Sequence, residues 1–252
     1  MIFRLLLRSF TFFFTLLAST GWSQTRATPG KPLFQLLPPT RTGITFTNRI
    51  FESDSLNILN QANIYNGGGV GIGDFNRDGL QDVFLSGNMV SNKLYLNKGR
   101  LKFEDITEKA GVTGDGRWCT GVSVVDINGD GWPDIYVSTS FRKDPRLRTN
   151  LLYINQGAGK DGTPTFKESA VAYGIADTGF STQGIFFDYD HDGDLDLYIV
   201  TNQINDPRTP IRFRPKLTDG SALNNDRLYR NNGNGTFTNV TKEAGILIEG
   251  WG

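Results

Sequence analysis

Short runs of branched and aromatic residues flank three acidic segments of this chain, and no helical period appears in them. VGIG, VSVV and GIFF precede the segments; VFLSG, IYVSTS and LYIVTN follow them. Such runs, bounded by glycine, asparagine and aspartate, predict strands. The likeness continues downstream. NKLYLNKG (92–99), TNLLYINQG (149–157) and DRLYRNNG (226–233) align on Tyr95, Tyr153 and Tyr229. LKFEDITEKAGV, PTFKESAVAYGI and GTFTNVTKEAGI then align on Phe103, Phe166 and Phe237, and on Gly111, Gly174 and Gly245.

Each unit predicts four strands. In the first they fall at 69–75, 81–87, 93–97 and 102–106. Unit starts are 52 and then 62 residues apart, the excess lying in insertions at 142–148 and 205–225. Four short strands repeated at about 50 residues are the sequence form of a β-propeller blade. The fold class expected is all-β, with blades of four antiparallel strands. The small residues of Gly67 to Gly73 suit an inner strand near a crowded axis. A phosphate-cradling loop is the rival reading, but GxGxxG spacing and a following helix are both missing.

The acidic segments read DFNRDGLQD (74–82), DINGDGWPD (126–134) and DYDHDGDLD (188–196). Each places oxygen-bearing side chains at positions 1, 3, 5 and 9 around a glycine at position 6. Alternating oxygens about a sharp turn wrap a hard cation, and an all-oxygen set favours calcium. The expected ligands are Asp74, Asn76, Asp78 and Asp82 in loop one. Loop two offers Asp126, Asn128, Asp130 and Asp134; loop three offers Asp188, Asp190, Asp192 and Asp196. Backbone carbonyls of Leu80, Trp132 and Asp194 would complete the shells, giving about three Ca2+ ions. Gly79, Gly131 and Gly193 are expected at positive φ. An EF-hand needs a glutamate at position 12 and helices on both sides. Position 12 is Leu85, Val137 and Ile199, between strands, so each loop is expected to join two strands of a hairpin.

The loop, the LY-x-N-x-G segment and the TF-x-(D/N)-(I/V)-T-x-x-AG(I/V) segment together resemble FG-GAP/VCBS repeats of integrin-α-type propellers. The resemblance is closest to secreted bacterial repeat proteins related to cartilage acidic protein, a family that often carries an ASPIC/UnbV domain; no such segment is visible in this chain. It covers about residues 43–252. It implies a seven-bladed calcium-binding propeller, with the family's ligands falling on the twelve side chains named above. Three units do not close a ring of four to eight blades. The chain ends in ILIEGWG, where the earlier units begin their next inner strand. A truncated chain is expected, with the missing blades or self-association as partners for its open edges.

Residues 1–23 read as a signal peptide. Arg4 and Arg8 precede the apolar run Phe10 to Ala18, and small residues follow. The run is too short for an ordinary membrane-spanning helix. A secreted, periplasmic or cell-surface location follows, with no transmembrane span after signal removal. Residues 24–42 read as a linker, and GITFTNRI (43–50) as a strand of a closing blade, within the partial propeller at 43–252. A single cysteine, Cys119, excludes an internal disulfide and is expected as a buried small hydrophobe.

The chain carries 26 basic and 26 acidic residues. That balance gives no basic face, so nucleic acid is not an expected partner. Arg208, Arg212, Arg214 and Lys216 cluster in the third insertion as a solvated loop or a contact for an acidic ligand. The lone histidine, His191, sits at position 4 of loop three, facing outward, so no Ser-His-Asp or Cys-His set can be assembled. The first functional expectation is a secreted calcium-binding module for extracellular protein or glycan binding and adhesion. The second is part of a polysaccharide lyase or hydrolase built on a calcium propeller.

Overall fold

The computed structural model describes residues 32–59, 61, 63–202 and 216–250. The expected signal peptide lies outside them, as do Arg208, Arg212 and Arg214. The chain divides into Met1–Leu37, whose described residues carry no helix or strand, and Pro38–Gly252, which holds every sheet. No helix among the described residues is long and apolar enough to cross a membrane.

Twelve strands form three four-stranded antiparallel sheets, each in chain order. The first holds β1 (Val70–Gly73), β2 (Asp82–Leu85), β3 (Lys93–Asn97) and β4 (Phe103–Asp105). The second holds β5 (Trp118–Val125), β6 (Asp134–Ser140), β7 (Leu151–Ala158) and β8 (Pro164–Glu168). The third holds β9 (Ser181–Phe187), β10 (Asp196–Thr201), β11 (Arg227–Asn231) and β12 (Phe237–Asn239). These are propeller-like blades, and the all-β expectation holds. One-turn helices follow the outermost strands of the first two blades, α2 (Thr107–Ala110) and α3 (Ala170–Tyr173), the earlier α1 being Pro39–Thr42. Gly111, Gly174 and Gly245, aligned by sequence, adopt the left-handed φ of 76°, 76° and 73° that ends these turns.

Blades stack face to face through two cores. Between the first and second, Phe84, Leu94 and Leu96 meet Ile135, Val137, Leu151 and Tyr153. Between the second and third, Tyr136, Leu152 and Ile154 meet Leu197, Ile199, Tyr229 and Phe237. Period-2 alternation sends neighbouring residues of β6 to opposite cores, so all seven of its residues are buried. Each large side chain buried in this way contributes about 1.5–3 kcal/mol. Cys119 lies in the first core, where burial pushes its thiol up to about 12. It is the small hydrophobe expected.

Inner strands approach closely because glycine lines them. A Cβ on Gly71 would stand 2.8 Å from both Val122 Cγ1 and Val124 Cγ2, and one on Gly184 would stand 2.6 Å from the Tyr136 ring. A side chain there would force the blades apart.

Residues 43–50 depart from expectation. Their exposure alternates as in a strand, with Ile44, Phe46, Asn48 and Ile50 half-buried, but no ladder forms. The segment meets side chains instead of a strand edge. Thr45 N donates to the Tyr95 hydroxyl at 3.3 Å, and Asn48 exchanges hydrogen bonds with Asn88. Tyr95 corresponds to Tyr153 and Tyr229, which pack between blades, so the segment covers the outer face of the first blade. The expected 24–42 linker also contains α1, closed by Gly43 at φ 81°.

Candidate metal centre

The three acidic segments join β1 to β2, β5 to β6 and β9 to β10, each an antiparallel pair, as the hairpin reading requires. Their internal geometry repeats. The position 1 carboxylate accepts from the backbone N–H groups of positions 5 and 6. Asp74 takes Asp78 N at 3.0 Å and Gly79 N at 2.8 Å. Asp126 takes Asp130 N at 3.1 Å and Gly131 N at 2.8 Å; Asp188 takes Asp192 N and Gly193 N, both at 3.2 Å. The position 5 carboxylate then accepts from position 7, from Leu80, Trp132 and Asp194 at 2.8, 2.8 and 2.9 Å. Gly79, Gly131 and Gly193 hold φ of 86°, 83° and 97°, as expected. Position 4 is left-handed as well, in Arg77, Gly129 and His191. His191 is exposed.

Position 9 is set apart from the rest. Asp82, Asp134 and Asp196 are fully buried. One oxygen of each accepts from position 2 of its own loop, from Phe75, Ile127 and Tyr189, all at 3.0 Å. The other accepts from the third strand of its blade, from Asn97 N and Asn155 N at 2.7 Å and Asn231 N at 2.8 Å. Burial, opposed by these donors, raises Asp82 and Asp134 to about 6, and the like charges of positions 1 and 5 push the same way. Asp196 also shifts upward, through burial first, with the like charges of Asp190 and Asp192 at positions 3 and 5 adding to it.

This donor set fits a hard cation. In loops one and two the carboxylates of positions 1 and 5 act as like charges on position 9, and in loop three Asp188, Asp190 and Asp196 hold carboxylate oxygens within 4.8 Å of one another. In loops one and two the amide of Asn76 or Asn128 donates to the position 5 carboxylate at 3.0 and 2.8 Å, placing a neutral group among the acids. Carboxylates crowded in this way repel until a cation or a proton neutralises them.

Three asparagines outside the acidic segments, with no metal-ligand spacing to mark them in the sequence, complete the sites, one to each. Asn97, Asn155 and Asn231 occupy the N of LY-x-N-x-G. Each donates from Nδ2 to the position 8 carbonyl of its loop, at 2.9, 3.1 and 3.1 Å. Each also accepts from the glycine two residues on, Gly99, Gly157 or Gly233, which is left-handed. The motif is thus a clamp on the far side of the loop. In loops one and two position 2 is apolar because it plugs a core. Phe75 packs edge-on against Phe166 at 5.9 Å, and Ile127 enters the core between the second and third blades. Adjacent loops also touch: the Arg77 guanidinium lies over the Trp132 ring at 5.1 Å.

Comparison with known families agrees with this geometry. The FG-GAP-like repeat family matches residues 74–137, and the FG-GAP repeat family matches residues 120–160. No match was found among curated proteins. The matched residues run from loop one through loop two to β7, and the third blade, outside them, repeats the same hydrogen bonds around its loop. Residues 74–160 thus carry FG-GAP repeats, set on propeller-like blades whose inner hairpins are closed by the acidic loops.

Proposed function

We propose that this chain is a secreted calcium-binding module that binds protein or glycan outside the cytoplasm. The observation that carries the calcium reading is the threefold recurrence of one loop geometry, with a buried carboxylate at position 9 tied to both loop and blade. In each loop the side chains at positions 1, 3, 5 and 9 and the carbonyl at position 7 would hold the ion. Calcium accepts six to eight oxygens at flexible angles, which suits loops of this shape better than the strict octahedron of magnesium. The ion supplies charge neutralisation; the residues supply the turn, the anchor in the inter-blade core and the clamp from the third strand. Export through the N-terminal segment agrees with calcium supply, since millimolar calcium is an extracellular condition matched by sites of about 10⁻⁴–10⁻³ M.

Binding is preferred to catalysis because the cavity at the opposite end of the inner strands is lined by amides, hydroxyls, glycines and aromatic rings. Isothermal calorimetry of the chelator-treated chain tests the calcium reading. About three calcium ions per chain are expected, and no binding at millimolar calcium would refute it.

A further inference from the structure

Each inner strand has two ends. The acidic loops occupy one, at Asp74, Asp126 and Asp188. At the other end the three blades line an open cavity of about 280 Å³. The stretch before β1 (Gly67–Gly69) and the first residues of β5 and β9 line it, together with the residues that close β6 and follow β10.

Its chemistry is uniform. One wall is aromatic: Trp118 and Phe141 pack with ring centroids 4.9 Å apart. The remainder is polar and uncharged, with Asn63, Asn66, Gln183 and Asn202 bringing amides to the space. Two of these residues are not explained by folding. Asn202 Oδ1 is buried without a hydrogen-bond partner among the described residues, a state that costs about 1–3 kcal/mol unless a donor arrives. Phe141 holds φ at 57°, a conformation that is an outlier for a bulky side chain, and strain of this kind collects at ligand-binding positions. Gln183, by contrast, is held: its Nε2 donates to Ser123 Oγ at 2.9 Å and to the Gly184 carbonyl at 2.8 Å. Its Oε1 faces Gly121, where a Cβ would come within hydrogen-bonding distance or less.

We infer that this cavity is a binding site for one neutral sugar ring. A ring of C–H groups would lie against the Phe141–Trp118 wall, and its hydroxyls would meet the amides. Asn202 Oδ1 would take a sugar O–H; the soft terminal torsion of an asparagine amide lets it turn toward the cavity. The volume falls just below that of drug-sized pockets, which run about 300–1,000 Å³, as suits a ligand of one ring. The lining holds no charged side chain among the described residues, which favours neutral sugars over uronates, whose carboxylate would be desolvated against it. The inference names the glycan for the binding-module reading and rests on it.

The test is saturation-transfer NMR and calorimetry on the full chain in saturating calcium. The probes are D-glucose, D-galactose, D-mannose and L-rhamnose, with D-glucuronate and D-galacturonate beside them. At least one neutral sugar should bind, and the uronates more weakly. Asn202→Ala and Phe141→Gly should each weaken that sugar about tenfold or more, about 1.4 kcal/mol, with calcium stoichiometry unchanged. Glycine at 141 removes the ring and relieves the strained φ, so the variant should fold. The inference is overturned if no neutral sugar binds to a chain that still binds calcium, if a uronate binds best, or if both variants bind as the parent does. Sugar binding by a chain that takes up no calcium would uphold the cavity and sink the calcium reading instead.

Discussion

Asn155 Nδ2 donates to the Phe75 carbonyl at 2.9 Å, joining the third strand of the second blade to the loop of the first. The same residue gives its backbone N–H to Asp134 and its second amide hydrogen to the Pro133 carbonyl. One buried side chain therefore holds its own loop and the preceding one. Asn97 and Asn231 make the own-loop contacts, to Gln81 and Leu195.

Asn155→Ala should consequently destabilise the chain more than Asn97→Ala. Leaving the Phe75 carbonyl buried and unpaired costs about 1–3 kcal/mol, added to the loss of the clamp that both variants share. Urea denaturation in saturating calcium measures the difference. Equal losses for the two variants would mean that the link between blades carries no energy.

Calcium removal should loosen the fold without erasing it. At tenfold excess over its dissociation constant, one site contributes about 1.4 kcal/mol. Asp78→Ala should abolish one of three calcium sites in calorimetry, because each loop is built from contiguous residues. Chelator should lower the melting temperature and speed proteolysis first at 74–82, 126–134 and 188–196. A melting curve unchanged by confirmed metal loss would show that the loops do not support the blades.

The strands were legible because their signal is local. The run predicted at 93–97 is β3, Lys93–Asn97, and that at 102–106 trims to Phe103–Asp105. In residues 43–50 the alternation was legible and the pairing was not. A ladder needs a strand edge within reach, and this segment lies over a sheet face, held by Tyr95 and Asn88. Within the loops the positive φ at position 6 followed from glycine, but at position 4 only Gly129 hinted at it, and Arg77 and His191 hid it. The asparagine clamp depends on a register that brings β3, β7 and β11 beside position 9. The sequence alignment, resting on the tyrosines two residues earlier, could not see that neighbour. The cavity is still less local, since Asn63, Trp118, Gln183 and Asn202 meet only when three blades are stacked.

The contribution of Asp82 and Asp134 to the pH response of the metal-free chain should run against the usual acidic trend. Asp82 and Asp134 sit at about 6 in the folded state, through burial first, against about 3.9 when unfolded. Between these values the folded state binds more protons, so stability from these groups is complete below about 4 and is lost as pH rises through about 6. With chelator present, the stability difference between the parent and the Asp82→Asn, Asp134→Asn double variant should shrink as pH rises from about 4 to about 7. With calcium present, the difference should grow over the same window, because the cation binds the carboxylates. Thermal melts at fixed ionic strength decide it; a chelated difference that grows with pH would place these carboxylates below their ordinary range.

Loop three should be the most calcium-dependent of the three. At positions 1, 3, 5 and 9 it carries a fourth carboxylate, Asp190, where loops one and two have Asn76 and Asn128. Those asparagines donate to the position 5 carboxylate and brace the loop in the metal-free state. The Asp190 carboxylate has no N–H to give, and its oxygen stands within 4.8 Å of oxygens from Asp188 and Asp196. Without calcium, repulsion should open this loop first, so hydrogen exchange in chelator should be fastest across Asp188–Asp196. With calcium, the added charge should make it the tightest site, since ligand charge is what tunes such loops. Asp190→Asn should slow the exchange in chelator and weaken the third calcium site about three- to tenfold. Asn76→Asp should do the reverse in loop one, gaining affinity and losing metal-free order. If Asp190→Asn leaves both exchange and affinity unchanged, position 3 does not face the ion, and the ligand set of all three loops must be redrawn.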